Sequence, residues 1–396
     1  MKPDRTLTGS NLKTAAAWNR GVVLRLLRRH GMLSRRQIAA MVGLRGSTLT
    51  YIMRELLERD LVRVVGKLDS KRVGKKQVML TINPHLGWFL GVALRPLEAS
   101  LAIFDAAGTL IAERTLPINN SLEAFPAELR KGLKDWKTVT SKLSGKMLGI
   151  GVGVPGVVDA GTGMVLRATL FEATRVPLKQ LLTDTFGVPV VIDHDACFGA
   201  VAEAADGAAR GVQHFIHFLV NHEVRGKRVR FNSFGSSFYL GGTLHRGAHF
   251  AAGEWRRPLL PPSHDVTAAE LGVLRDPDAE LTDHLTEFAV AIGQSLGLVV
   301  NLIDVQMVVI AGTARIVNRA FLDAVSKEMH HKMVLIDDRT VRVVASGLQT
   351  NAVARGAALA AADGTLADSR NMTLTVDPAT PPPNGSEFNV LSEPAS

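Results

Sequence analysis

The side chains with the clearest chemical pattern in this sequence lie on one face of a predicted helix over residues 47–57. Its apolar residues recur at i, i+3, i+4, i+7 and i+8, and they are Leu49, Ile52, Met53, Leu56 and Leu57. The opposite face and the residue two positions before the helix are polar or cationic, and they comprise Arg45, Ser47, Thr48, Thr50, Tyr51 and Arg54. Arginine donates paired hydrogen bonds to guanine or phosphate, and hydroxyls reach base edges and backbone oxygens. We therefore expect these six residues to contact DNA, with Arg45 and Arg54 as the main candidates.

Two shorter helices are predicted in front of this one. The first begins at Trp18 and ends at Gly31, and its apolar residues have helical spacing. The second begins at a capping box, Ser34 followed by Gln37, and stops at Gly43. A short helix, a tight turn and a longer helix with a polar N-terminal face are typical of a helix-turn-helix that enters the major groove.

A basic hairpin is predicted after the third helix. Residues 61–65 form a β-rich run, and Val78, Leu80 and Ile82 alternate as in a second strand. The connection between them contains Lys71, Arg72, Lys75 and Lys76. These four cations would meet the DNA backbone or minor groove as the wing of a winged helix-turn-helix. The alternative is a solvated basic hairpin with no nucleic-acid role.

Charge supports the DNA-binding interpretation because it is confined to one end of the chain. Residues 1–90 carry 18 Lys and Arg against 5 Asp and Glu, whereas residues 91–396 carry 28 against 32. The first segment therefore has a net charge of +13 and the second of −4. An excess of this kind on a short helical segment indicates a polyanionic partner, and we expect double-stranded DNA.

Composition limits the remaining classes of protein. The 396 residues suffice for two or three domains, and they contain no run of 18 apolar residues and no signal-peptide pattern at the N-terminus. We expect a cytoplasmic protein without membrane partners. Cys197 is the single cysteine, so an internal disulfide and a multi-cysteine zinc site are excluded, and we interpret it as a small buried hydrophobe.

After Asn83 and Pro84 the pattern changes to strands that alternate with helices. Strands are predicted over residues 89–94, 99–104, 110–114, 148–154, 190–193, 215–220 and 305–311, and helices over 122–133 and 281–302. Asp195 follows one of these strands at the start of an alanine-rich helix. The pattern indicates an α/β domain with glycine turns at strand ends, where ligands usually bind.

Two glycine-rich segments of this module resemble the ROK family of repressors, open reading frames and sugar kinases. Residues 151–159 read G-V-G-V-P-G-V-V-D, with Thr162 and Gly163 following, where the family has G-x-G-x-P-G-x-V-D and T-G. Residues 242–254 read G-T-L-H-R-G-A-H-F-A-A-G-E, similar to the family's G-x-L-x-x-G-A-x-G-x-A-G-E. The resemblance covers residues 12–362. It implies an α/β fold in which a winged helix-turn-helix precedes a duplicated actin-like, ribonuclease-H-like domain.

The resemblance also shows which phosphate-binding residues are missing. The family's kinases hold ATP phosphates with a D-x-G-G-T turn, and the matching residues 93–97 read A-L-R-P-L. Their second loop, G-T-G-I-G, matches residues 231–235, which read F-N-S-F-G. Bulky side chains in both segments should exclude ATP. We therefore expect no kinase activity, no catalytic residues and no cofactor.

The sugar-binding side of the family is partly retained. The resemblance assigns its Asn-Asp sugar contacts to His194 and Asp195, and a further sugar-binding Glu to Glu254. The family's His that contacts sugar and zinc becomes Arg257, and the zinc loop is absent. We expect these four residues to bind an effector, with no metal site.

Each of these four positions has an alternative interpretation. Asp195 would otherwise be a helix N-cap, His194 a hydrogen-bonded residue at a strand end, and Glu254 a surface helix residue. Arg257 would either neutralise the two carboxylates as an ion pair or bind the phosphate or carboxylate of an acidic sugar.

The complete prediction divides the chain at three boundaries. Residues 1–17 form an N-terminal arm, 18–83 the winged helix-turn-helix, 84–362 the ROK domain and 363–396 a disordered tail. Residues 222–230 are expected to form an exposed basic loop.

The expected function is a repressor of carbohydrate genes, acting as a homodimer or homotetramer on an inverted-repeat operator and controlled by a sugar or sugar phosphate. One alternative is a regulator whose ROK domain only dimerises or docks another protein. A sugar kinase with an appended DNA-binding domain is the other.

Overall fold

The computed structural model of the chain describes residues 12–68, 77–225, 228–255, 265–312, 318–334, 339–348 and 352–367. The N-terminal domain in this part of the chain has three helices and a small antiparallel sheet. Its elements are α1 (Leu12–His30), β1 (Leu33–Ser34), α2 (Arg35–Val42), α3 (Gly46–Glu58), β2 (Val62–Leu68) and β3 (Gln77–Ile82). The sheet has the order β1-β3-β2.

Local signals in the sequence set the start and the end of α2. The Gln37 N–H donates to Ser34 Oγ at 3.3 Å and the Ser34 N–H donates to Gln37 Oε1 at 2.8 Å, so the predicted capping box is present. Gly43 ends the helix in the left-handed region with φ 66°, which glycine adopts without strain. The predicted winged helix-turn-helix is confirmed. Its first helix begins at Leu12, earlier than the predicted start at Trp18.

The rest of the described chain forms two α/β lobes. The elements of the first are β4 (Gly87–Arg95), β5 (Glu98–Asp105), β6 (Leu110–Pro117), α4 (Phe125–Asp135), α5 (Lys137–Thr140), β7 (Lys146–Val154), β8 (Val157–Asp159), β9 (Met164–Ala168), β10 (Ala173–Val176), α6 (Leu178–Phe186) and β11 (Val190–His194). Those that follow are α7 (Asp195–Asp206), β12 (Phe215–Arg225), β13 (Arg228–Leu240), β14 (Thr243–His245), β15 (Asp265–Thr267), α8 (Ala268–Arg275), α9 (Asp283–Ile303), β16 (Met307–Gly312), α10 (Arg319–Lys332), β17 (Arg342–Ala345) and α11 (Ala352–Ala367).

The main sheets of the two lobes share one topology. The first has the order β11-β7-β4-β5-β6 and the second β14-β13-β12-β16-β17, with β15 paired to β13. In each sheet the first three strands in chain order are antiparallel neighbours, and two parallel strands follow beside the first. This repetition confirms the predicted duplicated, ribonuclease-H-like architecture.

Helix α11 lies between α7, the first sheet and α1. A Cβ atom at Gly356 would come within 1.8 Å of the Phe198 carbonyl oxygen on α7, and one at Gly91 on β4 within 1.8 Å of the Ala354 carbonyl oxygen. Because only glycine fits at these positions, α11 packs backbone to backbone against both elements. A shift of α7 therefore cannot be absorbed by side chains at this contact.

The hydrophobic core of the N-terminal domain continues into the first lobe. One apolar cluster joins Leu24 and Leu27 of α1 to Phe89 of β4 and Ala358 of α11. Asn83, at the predicted domain boundary, is buried, and its side-chain amide donates to the Asp60 carbonyl oxygen at 2.9 Å. The DNA-binding domain is thus packed onto the body through a shared core.

An ion pair reinforces this junction. Arg28 Nε of α1 donates to Asp363 Oδ1 of α11 at 3.1 Å. Asp363 was the first residue of the predicted disordered tail, but α11 continues to Ala367. The contact with α1 explains why the helix extends past the predicted boundary.

The prediction of an exposed loop over residues 222–230 is wrong. Strands β12 and β13 continue as an antiparallel hairpin in which Asn221 pairs with Ser233 and Arg225 with Arg228, and a register shift follows Asn221. Strand β15 pairs with the outer part of β13 and so supports it. The backbone here is held by a ladder, which the basic composition did not reveal.

Helix α9 is long and apolar enough to span a membrane by composition alone. In this fold it is a core helix, because Phe288, Ile292 and Leu296 are buried in the second lobe's apolar cluster with α10 residues such as Val325.

Candidate nucleic-acid interface and effector site

The third helix separates its polar and apolar residues as predicted. Leu49, Ile52, Met53 and Leu56 are buried in the domain core. The six predicted DNA contacts, Arg45, Ser47, Thr48, Thr50, Tyr51 and Arg54, are all exposed. The structure thus brings these six side chains together on one accessible surface, which we call the α3 face.

The N-terminus of α3 is open to an anion. Arg45 occupies the N-cap position without a side-chain capping hydrogen bond, and the first turn contains no acidic residue. An uncapped helix N-terminus presents free N–H groups and a partial positive charge, which favour a phosphate. Serine or aspartate at the cap would have satisfied these donors, as Ser34 does for α2.

Two side chains of the α3 face are partly engaged within the helix. Thr50 Oγ1 donates to the Gly46 carbonyl oxygen at 2.8 Å. The Arg54 guanidinium lies 5.5 Å from the centre of the Tyr51 ring and 3.8 Å from Glu58 Oε1. Arg45 has no ion pair within the described part of the chain, so we expect it to contribute more to DNA binding than Arg54.

Strands β2 and β3 form the predicted wing hairpin, with Val62 opposite Ile82. Lys71, Arg72, Lys75 and Lys76 lie outside the described residues. Their predicted contact with DNA stays a prediction.

The candidate effector site is built where β11 ends and α7 begins. His194 is the last residue of β11 and Asp195 the first of α7, and both are buried. His194 Nε2 lies 3.1 Å from Asp195 Oδ1, which also accepts the Ala196 N–H at 2.8 Å. Asp195 Oδ2 makes no hydrogen bond with the described residues, so it is the oxygen left for a ligand.

Glu254 reaches the same place from a distant part of the chain. Its backbone forms a bridge with Gly235 of β13, and its Oε1 lies 3.9 Å from His194 Nε2. A Cβ atom at Gly235 would lie 3.0 Å from the His194 ring, so the glycine leaves the space that the imidazole needs. The structure therefore brings His194, Asp195 and Glu254 together, and we call this group the effector cluster after its predicted role. The alternative of Glu254 as a helix residue is wrong.

The segment that carries Glu254 is fixed along β13. The Ser236 N–H donates to the Gly253 carbonyl oxygen at 2.9 Å, and Trp255 Nε1 donates to Ser236 Oγ at 2.9 Å. Arg257, the fourth predicted effector residue, lies outside the described residues. Its role stays a prediction.

Sequence reasoning missed an ion pair beside this cluster. Asp193 is buried, and its Oδ2 accepts from Arg246 Nε at 3.0 Å and from the terminal guanidinium nitrogen at 2.6 Å. Arg246 belongs to the ROK-like segment 242–254, so its place in that motif was the available signal. A buried carboxylate bound at two points by arginine fixes the end of β11 and hence the direction of α7.

The layer beneath the effector cluster is buried and uncharged. His217 of β12 is fully buried beside Gly199, and burial together with the nearby His194 lowers its pKa to about 3. Cys197 is buried, which confirms its interpretation as a small buried hydrophobe, and burial raises the pKa of its thiol to about 12. Neither group is poised for chemistry at neutral pH.

The two segments that match the kinases' phosphate loops form regular β-structure. Residues 93–97 form the end of β4 and a two-residue turn, Pro96 and Leu97, between the paired Arg95 and Glu98. Leu97 has φ 63°, so a branched side chain occupies a position that favours glycine. Residues 231–235, expected to be a remnant of the second phosphate loop, lie inside β13. The resemblance predicted the loss of these loops, but it did not predict that a continuous strand replaces the second one.

Two family models match the chain in the order that the structure displays. Residues 17–73 match the MarR family and residues 90–256 match the ROK family. The first range contains the α3 face, and the second contains the effector cluster.

Curated relatives support the same combination of domains. A protein of Caldicellulosiruptor sp. (strain Rt8B.4) assigned as a xylose repressor is 25% identical over 388 residues, 85% of this chain and 94% of that protein. The DNA-binding transcriptional repressor Mlc of Escherichia coli (strain K12) is 28% identical over 209 residues, 52% of this chain and 51% of that protein. The chain thus matches about half the length of Mlc.

A solved structure extends the likeness to almost the whole fold. The crystal structure of a ROK family transcriptional regulator, a homologue of the E. coli MLC protein, superposes with a TM-score of 0.70 at 18% identity and covers 90% of this chain and 97% of that one.

The fold and the exposed α3 face define a winged-helix, DNA-binding transcriptional regulator with a kinase-like body. The chain combines a ROK family domain, matched over residues 90–256, with a MarR-type winged helix that precedes it. Both curated relatives are named as repressors, so the relationship favours a regulator over an enzyme.

Proposed function

We propose that this protein is a cytoplasmic repressor of carbohydrate genes whose affinity for its operator changes when a sugar or sugar phosphate binds the effector cluster. Relatives named for xylose or N-acetylglucosamine support carbohydrate as the class of effector. Two winged domains of a dimer or tetramer would read an inverted repeat, since a two-fold protein matches a palindromic site.

The observation that carries this proposal is the arrangement around Asp195. Its carboxylate is buried, one oxygen is fixed by the helix, and the other is left for a ligand. A carboxylate held in this way accepts hydrogen bonds from sugar hydroxyls, and the adjacent His194 and Glu254 add further partners. We do not assign the cluster to phosphoryl transfer, because the segments that match the kinases' ATP-binding loops form a two-residue turn and part of a strand.

Packing connects the effector cluster to the DNA-binding domain. Asp195 begins α7, α7 contacts α11 backbone to backbone at Gly356, and α11 is tied to α1 by the Arg28–Asp363 ion pair. A ligand that favours one position of α7 would therefore change the position of α3 through rigid contacts. The change in DNA affinity cannot exceed the difference between the ligand's affinities for the two positions of α7.

The test combines a thermal-shift screen of sugars and sugar phosphates with DNA binding measured by fluorescence anisotropy. We expect one compound to raise the Tm and to change the affinity for the chain's own promoter region at least about fivefold, the lower end of usual coupling energies. Asp195→Asn and Glu254→Gln should each abolish both effects. Asp135→Asn, a surface change on α4, should retain them.

Two other results would identify the alternatives. If no compound raises the Tm while sequence-specific DNA binding is intact, the ROK domain serves only for dimerisation or for docking another protein. Phosphorylation of a hexose that depends on ATP and is lost in Asp195→Asn would show a kinase and refute the proposal.

A further inference from the structure

A cavity of about 750 Å³ lies between α1 and the body of the protein. Its walls come from α1, the end of α7, the β13–β14 connection and α11, and none of the effector cluster lines it. The volume is that of a small-molecule site, which is usually roughly 300 to 1,000 Å³. A ligand in this cavity would touch both the DNA-binding domain and the ROK domain.

The described lining of this cavity is strongly cationic. It contains six arginines and one histidine against two aspartates, namely Arg25, Arg28, Arg29, Arg210, Arg246, Arg355, His30, Asp206 and Asp363. Both carboxylates are already engaged, because Arg355 Nε donates to Asp206 Oδ2 at 2.9 Å and Arg28 Nε donates to Asp363 Oδ1 at 3.1 Å. Arg246 is bound to Asp193. The positive charge of the remaining arginines is therefore not compensated by the described side chains.

Two of these arginines come from different domains. Arg29 lies near the end of α1 and Arg210 in the turn after α7, and neither makes an ion pair or a side-chain hydrogen bond with the described part of the chain. Arg29, His30 and Arg210 all line the cavity. Burial, and then the charges of Arg29 and Arg210, lower the pKa of His30. The Tyr239 phenol lines the same cavity and can donate a further hydrogen bond.

We propose that this cavity binds a small phosphate ester, held by Arg29 from α1 and Arg210 from the body. Guanidinium groups match phosphate oxygens with paired donors, and a dianion removes the repulsion between two uncompensated cations. The bound anion connects the DNA-binding domain to the end of α7, so it stabilises the arrangement of the domains seen here. This is a second site, distinct from the effector cluster, and through it phosphorylated metabolites influence DNA binding.

The test uses the full chain, with inorganic pyrophosphate and glucose 6-phosphate as probes, in isothermal titration calorimetry at constant ionic strength. We expect saturable binding that the double variant Arg29→Ser and Arg210→Ser weakens at least about tenfold, as for a lost charge-assisted contact. Arg167→Ser with Arg275→Ser, two exposed arginines elsewhere on the body, should leave the affinity unchanged. Because Arg29 and Arg210 are exposed, the double variant should keep the Tm of the unliganded protein.

Three results would overturn this inference. Absence of saturable binding by either probe would show that the cations hold no small anion. Binding that is lost in Asp195→Asn and retained in the arginine double variant would place the anion in the effector cluster. A loss of DNA affinity in the double variant with unchanged pyrophosphate binding would assign these arginines to the DNA backbone. Since the first readout needs no DNA, failure of the proposed repressor function would not produce any of these results.

Discussion

The α3 face and the effector cluster both place polar side chains at the N-terminal end of a helix, yet their surroundings are opposite. On the α3 face Tyr51 is 57% exposed, and Arg45 has no partner among the described residues. At the junction of β11 and α7, Asp193 is 2% and Asp195 5% exposed, and each is hydrogen-bonded to a neighbour. The first surface is adapted to a long polyanion that supplies its own complementary charge. The second, if it binds a small ligand as proposed, needs carboxylates held in a fixed geometry, and this requires buried partners.

We expect the largest effect from a reversal of charge on the α3 face, which tests whether this surface binds DNA. We expect Arg45→Glu to weaken operator binding by roughly 2 to 3 kcal/mol, on the order of 100-fold, because a phosphate or guanine contact becomes repulsive. The slope of affinity against salt should also fall. Fluorescence anisotropy at several salt concentrations measures both, with Arg167→Glu on the ROK domain as the control. Equal losses in the two variants would mean that net charge alone, and not the α3 face, binds DNA.

The next largest effect concerns stability at the effector side. Arg246→Met should lower the free energy of unfolding by about 2 kcal/mol, since it leaves the buried Asp193 carboxylate without its arginine. The matched change Arg355→Met removes the more exposed pair with Asp206 and should cost less than about 1 kcal/mol. Urea denaturation of both variants provides the comparison. If both variants lost a similar amount of unfolding free energy, the burial of Asp193 would not make its ion pair more stabilising than the Arg355–Asp206 pair.

An effect that grows as the pH falls distinguishes the buried effector side from the α3 face. His217 is neutral in the fold because its pKa is lowered to about 3, whereas in the unfolded chain it takes up a proton near its ordinary value of 6.5. Its contribution to stability is therefore complete above about pH 6.5 and is lost as the pH falls toward 3, with a slope of up to about 1.4 kcal/mol per pH unit.

Replacement of this histidine tests the assignment. His217→Gln should remove about one proton from the slope of unfolding free energy against pH between pH 6 and 4. Variants on the α3 face, such as Thr48→Ala, should leave that slope as it is. An unchanged slope in His217→Gln would indicate that other groups govern the response to acid.

The smallest effect should come from Arg54. Because this arginine lies beside Glu58 and over Tyr51, we expect Arg54→Ala to weaken operator binding no more than about threefold, under 1 kcal/mol. Glu58→Ala should strengthen binding slightly, since it removes a negative charge from the α3 face. If Arg54→Ala reduced operator affinity as much as Arg45→Glu, Arg54 would leave its contacts with Glu58 and Tyr51 in order to bind DNA.

The sequence predicted the features that depend on local spacing. The apolar repeat over α3, the capping box at Ser34 and the glycine stop at Gly43 each involve neighbours within two turns, so the winged helix could be derived residue by residue. The five strands of the first main sheet were also predicted, but only β12 and β16 of the second. The duplicated arrangement and the expected effector positions came from the family resemblance alone.

Contacts between distant residues could not be derived in this way. Arg246 is 53 positions from Asp193, and nothing in the spacing distinguishes it from Arg257 as the arginine that meets a carboxylate. Alanine and glycine in α11 give little periodic signal, yet they allow its backbone contacts with α7 and β4. The same absence of pattern hid the continuation of the DNA-binding domain's core into the body.

That shared core has a consequence for how such proteins can be rearranged. A cut at Asn83 would expose Leu24, Leu27 and Phe89 to water and leave Arg28 without its carboxylate. The winged helix is therefore not interchangeable. Replacement of this DNA-binding domain by a foreign one, through engineering or gene fusion, requires that α1 and α11 be exchanged as a matched pair.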